Sequence, residues 1–595
     1  MGTPERWAGT LGGALERAAE AETERDGLIF IDLKESETKL AWRAVYERAQ
    51  RAAGALEEAG VAAGERVAII LPTGPAFMDA FFGCQLLGAV PVPLYPPVRL
   101  GRLDEYVART SAMLAAVDAA LVVTEARIRR LLGQVMARFK PRLGLVDAAA
   151  LELGQARAPT LTDPDDLSFV QFSSGTTVEP KAVALSHRAV LANARSVMDR
   201  IPHAIEDQPS GVSWLPLYHD MGLIGCVLPA LLHPGPLALI PPENFLLKPA
   251  LWLRAIARHR GTVSPAPNFA YGLCVDRVQD ADLEDVDGRG TRCDLSSWLL
   301  ALNGAEPVSP ATLRAFRARF AAWGLREEAL TPVYGLSEAS LAVTFSDPFT
   351  PFRGQHFDRV ALANGRVVPV EPSPAGAEAI GEAAPPPLEL VSVGTPLEGF
   401  EVQIRDAQRR LAPEDRVGHL WVRGPSLMDG YLNRADSPIV DGWLDTGDLA
   451  FLHGGELYIS GRAKDLLILR GRNHAPQEVE HAIDGLEGVR SGCSAAVAEL
   501  SEEGERLLLF VEARQAVPGL ADEVAQVAFS ATGLRPDLVV VLEPGTLPRT
   551  SSGKIRRGEA LRLWRNGDLL PPDKVTPWML AGALAKSALG FWSSR

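Results

Sequence analysis

Cysteine is scarce in this sequence. Its five copies (Cys84, Cys226, Cys274, Cys293 and Cys493) are scattered, odd in number and never spaced as C-x-x-C. Neither a disulfide framework nor a thiolate zinc site is therefore indicated, and a reducing, cytoplasmic setting is expected. A long unbroken apolar run is also missing. The most apolar stretch, 221–242, is interrupted by His233 and five prolines, which excludes a transmembrane segment there. Basic charge is in deficit: the formal net charge of -14 argues against a general nucleic-acid binder, which needs a basic footprint. Arg549, Lys554, Arg556 and Arg557 form one local basic cluster. Residues 1–25 are acidic and alanine-rich and lack the basic-then-apolar order of a signal peptide. No internal repeat, Walker A loop, metal-ligand cluster or hydroxyl–His–Asp triad is visible.

What remains has the balance of a soluble globular enzyme, and 595 residues exceed what one core usually serves, so at least two domains are expected. Apolar residues at helical spacing run from Trp42 to Leu56 and stop at Gly60, and a second helical stretch spans 77–87. Short strand-length runs recur at 66–71, 90–94, 119–124, 169–172, 237–240 and 298–302, with helical segments between several of them. Such alternation predicts an α/β fold with largely parallel sheets covered on both faces. Beyond Ser392 the texture turns β-rich: 418–424 reads as a strand, and 449–452 and 457–460 as a hairpin across Gly454-Gly455. A smaller α+β unit is expected from Lys464, with a helix at 478–483 and strands at 507–512 and 538–542. The predicted domains are thus 1–463 and 464–595. Six prolines between Pro369 and Pro387 mark an extended surface insertion.

The strongest chemical signal is Phe169-Val-Gln-Phe-Ser-Ser-Gly-Thr-Thr-Val-Glu-Pro-Lys181, an apolar strand running into four hydroxyls around one glycine and then a lysine. The hydroxyls of Ser173, Ser174, Thr176 and Thr177, with the backbone at Gly175, suit phosphate oxygens, and Lys181 adds a point charge. The alternative reading of the string alone is a flexible Ser/Thr turn.

This loop resembles the phosphate loop of the adenylate-forming superfamily, which holds acyl-CoA synthetases, peptide-synthetase adenylation domains and luciferases. Further motifs similar to that family's follow in its order. They are Trp214-Leu-Pro-Leu-Tyr-His-Asp-Met-Gly222, Asn303-Gly-Ala-Glu306, Tyr334-Gly-Leu-Ser-Glu338, Gly442-Trp-Leu-Asp-Thr-Gly-Asp448, Gly461-Arg-Ala-Lys-Asp465 and Pro548-Arg-Thr-Ser-Ser-Gly-Lys554. The resemblance implies ATP as substrate, Mg²⁺ as cofactor, and a hinge at Lys464 about which the smaller domain swings. It departs at Val178 and Ala182, where the family usually has glycine. At a position needing positive φ, a valine would cost about 1 kcal/mol or more.

On this resemblance, Lys554 bridges the substrate carboxylate and the α-phosphate, unless it is a solvated surface lysine. Glu338 with Thr177 holds Mg²⁺, or Glu338 is only a carboxylate at a helix start. Asn303, Gly304, Ala305, Tyr334 and Gly335 form the adenine site, with Tyr334 lying on the base or merely in the core. Asp448 accepts ribose hydroxyls or belongs to a turn, and Arg462 donates to the nucleotide or pairs with Asp465. His219 receives a positioning role beside the acyl channel.

Three features resemble fatty acyl-AMP ligases in particular: the Trp214–Gly222 string, Arg470-Gly-Arg-Asn-His-Ala-Pro-Gln-Glu-Val-Glu480, and an insertion at about 346–392. In that family the insertion hampers CoA chemistry and the fatty acid passes to a holo acyl carrier protein, here expected to be a separate chain, as in polyketide biosynthesis. The alternatives are a fatty acyl-CoA ligase or a degenerate, nonenzymatic acyl-binding relative. At the C-terminus, Trp578, Ala581, Ala585, Ala588 and Trp592 share a helical stripe, expected to dock on the smaller domain.

Overall fold

The computed structural model describes residues 7–21, 26–97, 100–173, 181–201, 209–371, 385–469, 471–501, 504–515, 517–550, 553–572 and 577–594. The largest element is a nine-stranded sheet. It runs Thr395–Pro396, Ala342–Phe345, Leu330–Gly335, Leu300–Gly304, Val263–Pro267, Gly211–Ser213, Pro236–Leu239, Gly27–Ile31 and Glu37–Ala41. Its six central strands are parallel. Helices cover them, so strands such as Gly27–Ile31 and Leu300–Gly304 are buried at every residue. A second sheet, Val90–Pro93, Arg66–Ile70, Leu121–Thr124 and Leu145–Asp147, is parallel throughout. The α/β class and its β-rich continuation are therefore as the sequence predicts.

Most element ends fall within two residues of expectation. The run at 298–302 is displaced to Leu300–Gly304. Trp298 is fully buried, but in a turn where its N–H donates to the Leu295 carbonyl. Its apolar side chain counts toward a core without counting toward the strand. The β-rich part is an antiparallel sheet in which Trp443–His453 and Glu456–Arg462 form a hairpin. Its turn residues Gly454 and Gly455 both have positive φ (60° and 82°), the geometry that matches strand twist.

Beyond Leu467, two hydrophobic clusters are drawn entirely from residues 467–560. They surround the sheet Val489–Ser501, Gly504–Ala513 and Leu538–Leu542, with the helices Pro476–Ile483 and Leu520–Thr532 on one side. The insertion is anchored at its base. Gly354–Phe357 pairs with Leu388–Val391, and Phe357 packs edge-on against Phe451 and Tyr458. From its short helix, Arg359 reaches the C-terminal unit, donating to the Glu478 carboxylate and to the Ala531 carbonyl.

The terminal helix Pro577–Ser594 corrects one expectation. It packs on the helix Gly133–Arg138 of the large domain, not on the smaller one. Ser587 Oγ accepts the Gly133 N–H at 2.7 Å, and Gly590 lies so close that a Cβ would sit 2.3 Å from the Gly133 carbonyl oxygen. Phe591 joins the core cluster beneath. The docked face is thus the small-residue face, while Ala581, Ala585, Ala588 and Trp592 of the expected stripe are exposed. Small residues win because they let two helix backbones approach closely. All five cysteines are free and buried. Among the described residues, no helix is long and apolar enough to cross a membrane.

Candidate active site

The hydroxyl-rich loop springs from a tight hairpin. Strands Leu167–Phe172 and Ala182–Ser186 are antiparallel, and the Ser173 N–H donates to the Lys181 carbonyl, pinning the loop's two ends. Ser174, Gly175, Thr176, Thr177 and Val178 lie outside the described residues. Ala182 is an ordinary strand residue paired with Phe172, so its departure from glycine carries no backbone strain. A third strand, Gly430–Tyr431, joins the same hairpin. It places the Tyr431 ring 4.8 Å from Lys181 Nζ, while the Tyr431 hydroxyl donates to Glu338 Oε1 at 2.9 Å. Burial first, and the Glu338 charge second, push this phenol far up, which keeps it a donor. Tyr431 therefore connects the lysine and the carboxylate, a role that no local pattern in the sequence marks.

Two strand ends of the large sheet supply the next group. Asn303 is fully buried; its Nδ2 donates to Asn268 Oδ1 at 3.2 Å, and among the described residues its Oδ1 has no partner. Gly304 admits no side chain, because a Cβ would meet Val333 at 2.8 Å. Ala305 takes a left-handed φ of 68°, uncommon for a residue with a Cβ, and turns the chain sharply. On the neighbouring strand, a Cβ at Gly335 would lie 1.8 Å from the Leu341 carbonyl, so glycine is required there too.

Tyr334 is neither plain core nor a bare ring. Its hydroxyl donates to Asp448 Oδ2 at 2.6 Å, and Arg462 Nε donates to Asp448 Oδ1 at 3.0 Å. The Asp448–Arg462 register of the hairpin Trp443–His453 and Glu456–Arg462 makes this pairing automatic. Burial, then Asp448, drive the Tyr334 phenol well above its usual range. Arg462 spends its ion pair on Asp448, where pairing with Asp465 was the alternative. Each carboxylate oxygen of Asp448 keeps a lone pair for a further donor.

Opposite these strands, His219 precedes the short helix Asp220–Gly222, its ring 5.1 Å from that of Tyr218. The chain continues as a π-helical turn, Leu223–Val227, a distortion frequent at functional sites. Asp220 Oδ2 accepts from the Ser337 hydroxyl at 2.5 Å, tying this segment to the one that carries Glu338. Behind the π-helical turn lies a partly open apolar pocket lined by Val197, Ile201, Val212, Cys226, Leu237 and Leu302 among others.

Lys554 arrives from the C-terminal unit on a loop closed by its own backbone. Its N–H donates to Thr550 Oγ1 and its carbonyl accepts the Thr550 N–H. Arg549 braces the loop, donating to the carbonyls of Gly553 and Gly492 at 2.7 Å each. The ammonium faces Arg462, Asp220, Glu306 and Asp448. Burial, then Arg462, lower its pKa, and the three carboxylates oppose that shift. Residues more than 300 positions apart in the chain thus meet in one cleft. The arrangement offers cations for a polyphosphate and carboxylates for hydroxyls or a metal.

The family described as AMP-binding enzyme matches residues 15–432. The chain is 34% identical to 4-hydroxyphenylalkanoate adenylyltransferase of Mycobacterium marinum, over 95% of this chain and 93% of that protein. It is 31% identical to the medium-chain-fatty-acid–[acyl-carrier-protein] ligase JamA of Moorena producens, over 92% and 94%. A solved structure from a study of fatty acyl-adenylate ligases of E. coli and L. pneumophila superposes with a TM-score of 0.83 at 33% identity, covering 94% of this chain and 98% of that one.

Proposed function

The chain belongs to the AMP-binding enzyme family, and from that premise we propose that it converts a fatty acid and ATP to an acyl-adenylate and passes the acyl group to the phosphopantetheine thiol of a separate acyl carrier protein. The observation that carries the first half is the convergence of Lys554 with Asp448, Asp220 and Arg462, beside the Lys181–Tyr431–Glu338 group. An oxygen of the fatty carboxylate attacks the α-phosphorus, and the bond to the β-phosphate oxygen breaks. Pyrophosphate leaves with that electron pair, and no proton need move. Catalysis is then mostly positioning and charge stabilisation.

Each residue's chemistry suits one part of this task. Lys554 sits between the attacking carboxylate and the α-phosphate. Ser173, Ser174, Gly175, Thr176, Thr177 and Lys181 hold the outer phosphates. The orphan Asn303 Oδ1 is an acceptor for the exocyclic amine of adenine, with Gly304, Ala305 and Gly335 as the tight backbone around the base. Tyr334 and Arg462 fix the Asp448 carboxylate so that its remaining lone pairs meet the ribose hydroxyls. His219, beside Tyr218 and ahead of the π-helical turn, positions the acyl group. A single carboxylate such as Glu338, helped by the Thr177 hydroxyl, is the donor set magnesium accepts alongside substrate phosphates. Bound there, Mg²⁺ would neutralise developing phosphate charge.

For the second half, the unit from Lys464 onward turns about that residue, so that residues 1–463 and 464–595 act as separate domains. The Arg359–Glu478 ion pair joins the insertion to the moving unit, and a carrier protein as acceptor is supported by the 31% identity to the JamA fatty-acid–[acyl-carrier-protein] ligase. Both side chains are largely buried, and removing one partner of such a pair costs about 3–5 kcal/mol. Five free buried cysteines fit a cytoplasmic location. Fatty acids of graded length with ATP and Mg²⁺ should yield acyl-adenylate by mass spectrometry, and holo carrier protein should yield a thioester where CoA does not. Arg359→Ala should raise acyl-CoA formation at least several-fold. Efficient CoA thioester formation by the unmodified enzyme would reject the carrier reading, and absence of adenylate with every acid would reject the whole.

A further inference from the structure

Glu306 is a carboxylate that the adenylation chemistry above does not use. It follows the strained Ala305, and that left-handed turn at the end of Leu300–Gly304 directs it toward the C-terminal unit. Its Oε1 accepts the Phe269 N–H at 2.6 Å, in the first turn of the helix Asn268–Arg277. Phe269 lies close to the Lys554 loop and to the strand behind it: a Cβ placed on Gly553 would lie 4.0 Å from the Phe269 ring, and one placed on Gly492 would lie 3.9 Å from the Phe269 Cβ. Burial raises the Glu306 pKa, and the Phe269 hydrogen bond, then the charges of Lys554, Arg549 and Arg557 of the C-terminal unit, oppose that shift. Arg549 also binds two carbonyls, and Arg557 forms a two-pronged pair with Glu480. One acid of that unit, Asp484, faces Glu306 as well.

We propose that Glu306 is a positioning residue for Lys554: from the large domain it receives the cationic face of the C-terminal loop and holds the Lys554 ammonium in the cleft for adenylation. This rests on the reading of Lys554 as the group that meets the α-phosphate. A lysine works there only as a cation, and burial with Arg462 beside it favours loss of the proton. Asp220, Glu306 and Asp448 are the charges that oppose that loss. Glu306 differs from the other two in its second attachment, through Phe269, to the surface that carries the loop. It therefore couples the closed arrangement of the two units to the charge of the lysine.

Glu306→Gln separates the two attachments, since an amide oxygen still accepts the Phe269 N–H while the charge is lost. The experiment is the pH profile of pyrophosphate release by the full-length enzyme, for wild type, Glu306→Gln and Glu306→Asp, with transfer from preformed acyl-adenylate measured in parallel. The alkaline limb should move down by about one pH unit in Glu306→Gln, as expected for losing one strong favourable charge. At a fixed pH on that limb, kcat falls about tenfold, the KM for the acid stays within about twofold, and transfer is unchanged. Glu306→Asp restores the limb in part. A Glu306→Gln profile that overlays wild type would overturn the proposal. So would loss of both half-reactions together with a lowered Tm in both variants, which marks a merely structural role. Lys554→Ala keeps the premises apart: if it still forms adenylate, the reading of Lys554 fails; if it does not while Glu306→Gln overlays wild type, only the role of Glu306 fails.

Discussion

Asp484 stands where the C-terminal unit meets the large domain, accepting the Gly492 N–H at 2.9 Å with Glu480, Glu306 and Asp276 around it. Burial first, then those three carboxylates, push its pKa up to about 7. In the unfolded chain it titrates near the ordinary aspartate value of about 3.9. A raised carboxylate pKa means the folded state binds the proton more tightly, so this group's stability is present in acid and is lost as pH rises from about 4 to about 7. Asp484→Asn keeps an acceptor for Gly492 and removes that loss. Thermal unfolding should show a higher Tm for the variant at pH 8 and little change at pH 4.5; an equal shift at both would refute it. At this scale the sequence was legible where chemistry is local. Asn303, Tyr334, Asp448 and Arg462 stood in quotable strings, and the structure brings Tyr334, Asp448 and Arg462 into direct contact. Tyr431 was not legible, because a two-residue strand pairing with Val183 and Ala184 is all that brings it to Lys181. Glu306 lay inside a recognised string but had no visible work until Phe269 and Lys554 stood beside it.

Among the elements, the terminal helix Pro577–Ser594 shows most clearly what periodicity omits. A stripe of Trp and Ala looked like the buried face, whereas the close approach uses Ser587 and Gly590 against Gly133. A hydrophobic count gives no weight to residues whose value is the absence of a side chain. This docking ties the smaller unit to the large domain at a second point beyond Lys464. From Pro572 to Pro577 the chain can reach about 17 Å at full extension, so on the proposed turn about Lys464 a docked helix would limit its range. Gly590→Leu should undock it, since even a Cβ collides with the Gly133 backbone. Hydrogen exchange should then rise at 133–138 and 577–594, and acyl transfer should quicken several-fold with adenylation unaltered. Unchanged exchange in those segments would contradict this role for the docked helix. Several strands, in contrast, were legible to within about two residues, because runs such as Arg66–Ile70 and Leu538–Leu542 are short, apolar and bounded by turn residues, whereas Gly27–Ile31, Val263–Pro267 and Leu330–Gly335 were not marked at all.

For the molecule as a whole, the order of strand and helix along the chain was enough to predict a large α/β domain followed by a smaller α+β one. The clusters confined to 467–560 are consistent with a separate C-terminal core. What no linear reading supplied is the apolar pocket behind the π-helical turn, whose walls come from residues 197–302 on strands and helices that meet only in the fold. The proposed reaction depends on Lys554, delivered from the C-terminal unit, to make the adenylate. The most direct measurement is single-turnover formation of acyl-adenylate, followed by mass spectrometry, for the wild-type enzyme and Lys554→Ala under the same ATP, Mg²⁺ and fatty acid. The wild type should accumulate acyl-adenylate and pyrophosphate together, and the variant should fall by at least about a hundredfold, the scale of removing one donor to a developing oxyanion. Adenylate formed by Lys554→Ala at the wild-type rate would contradict the claim.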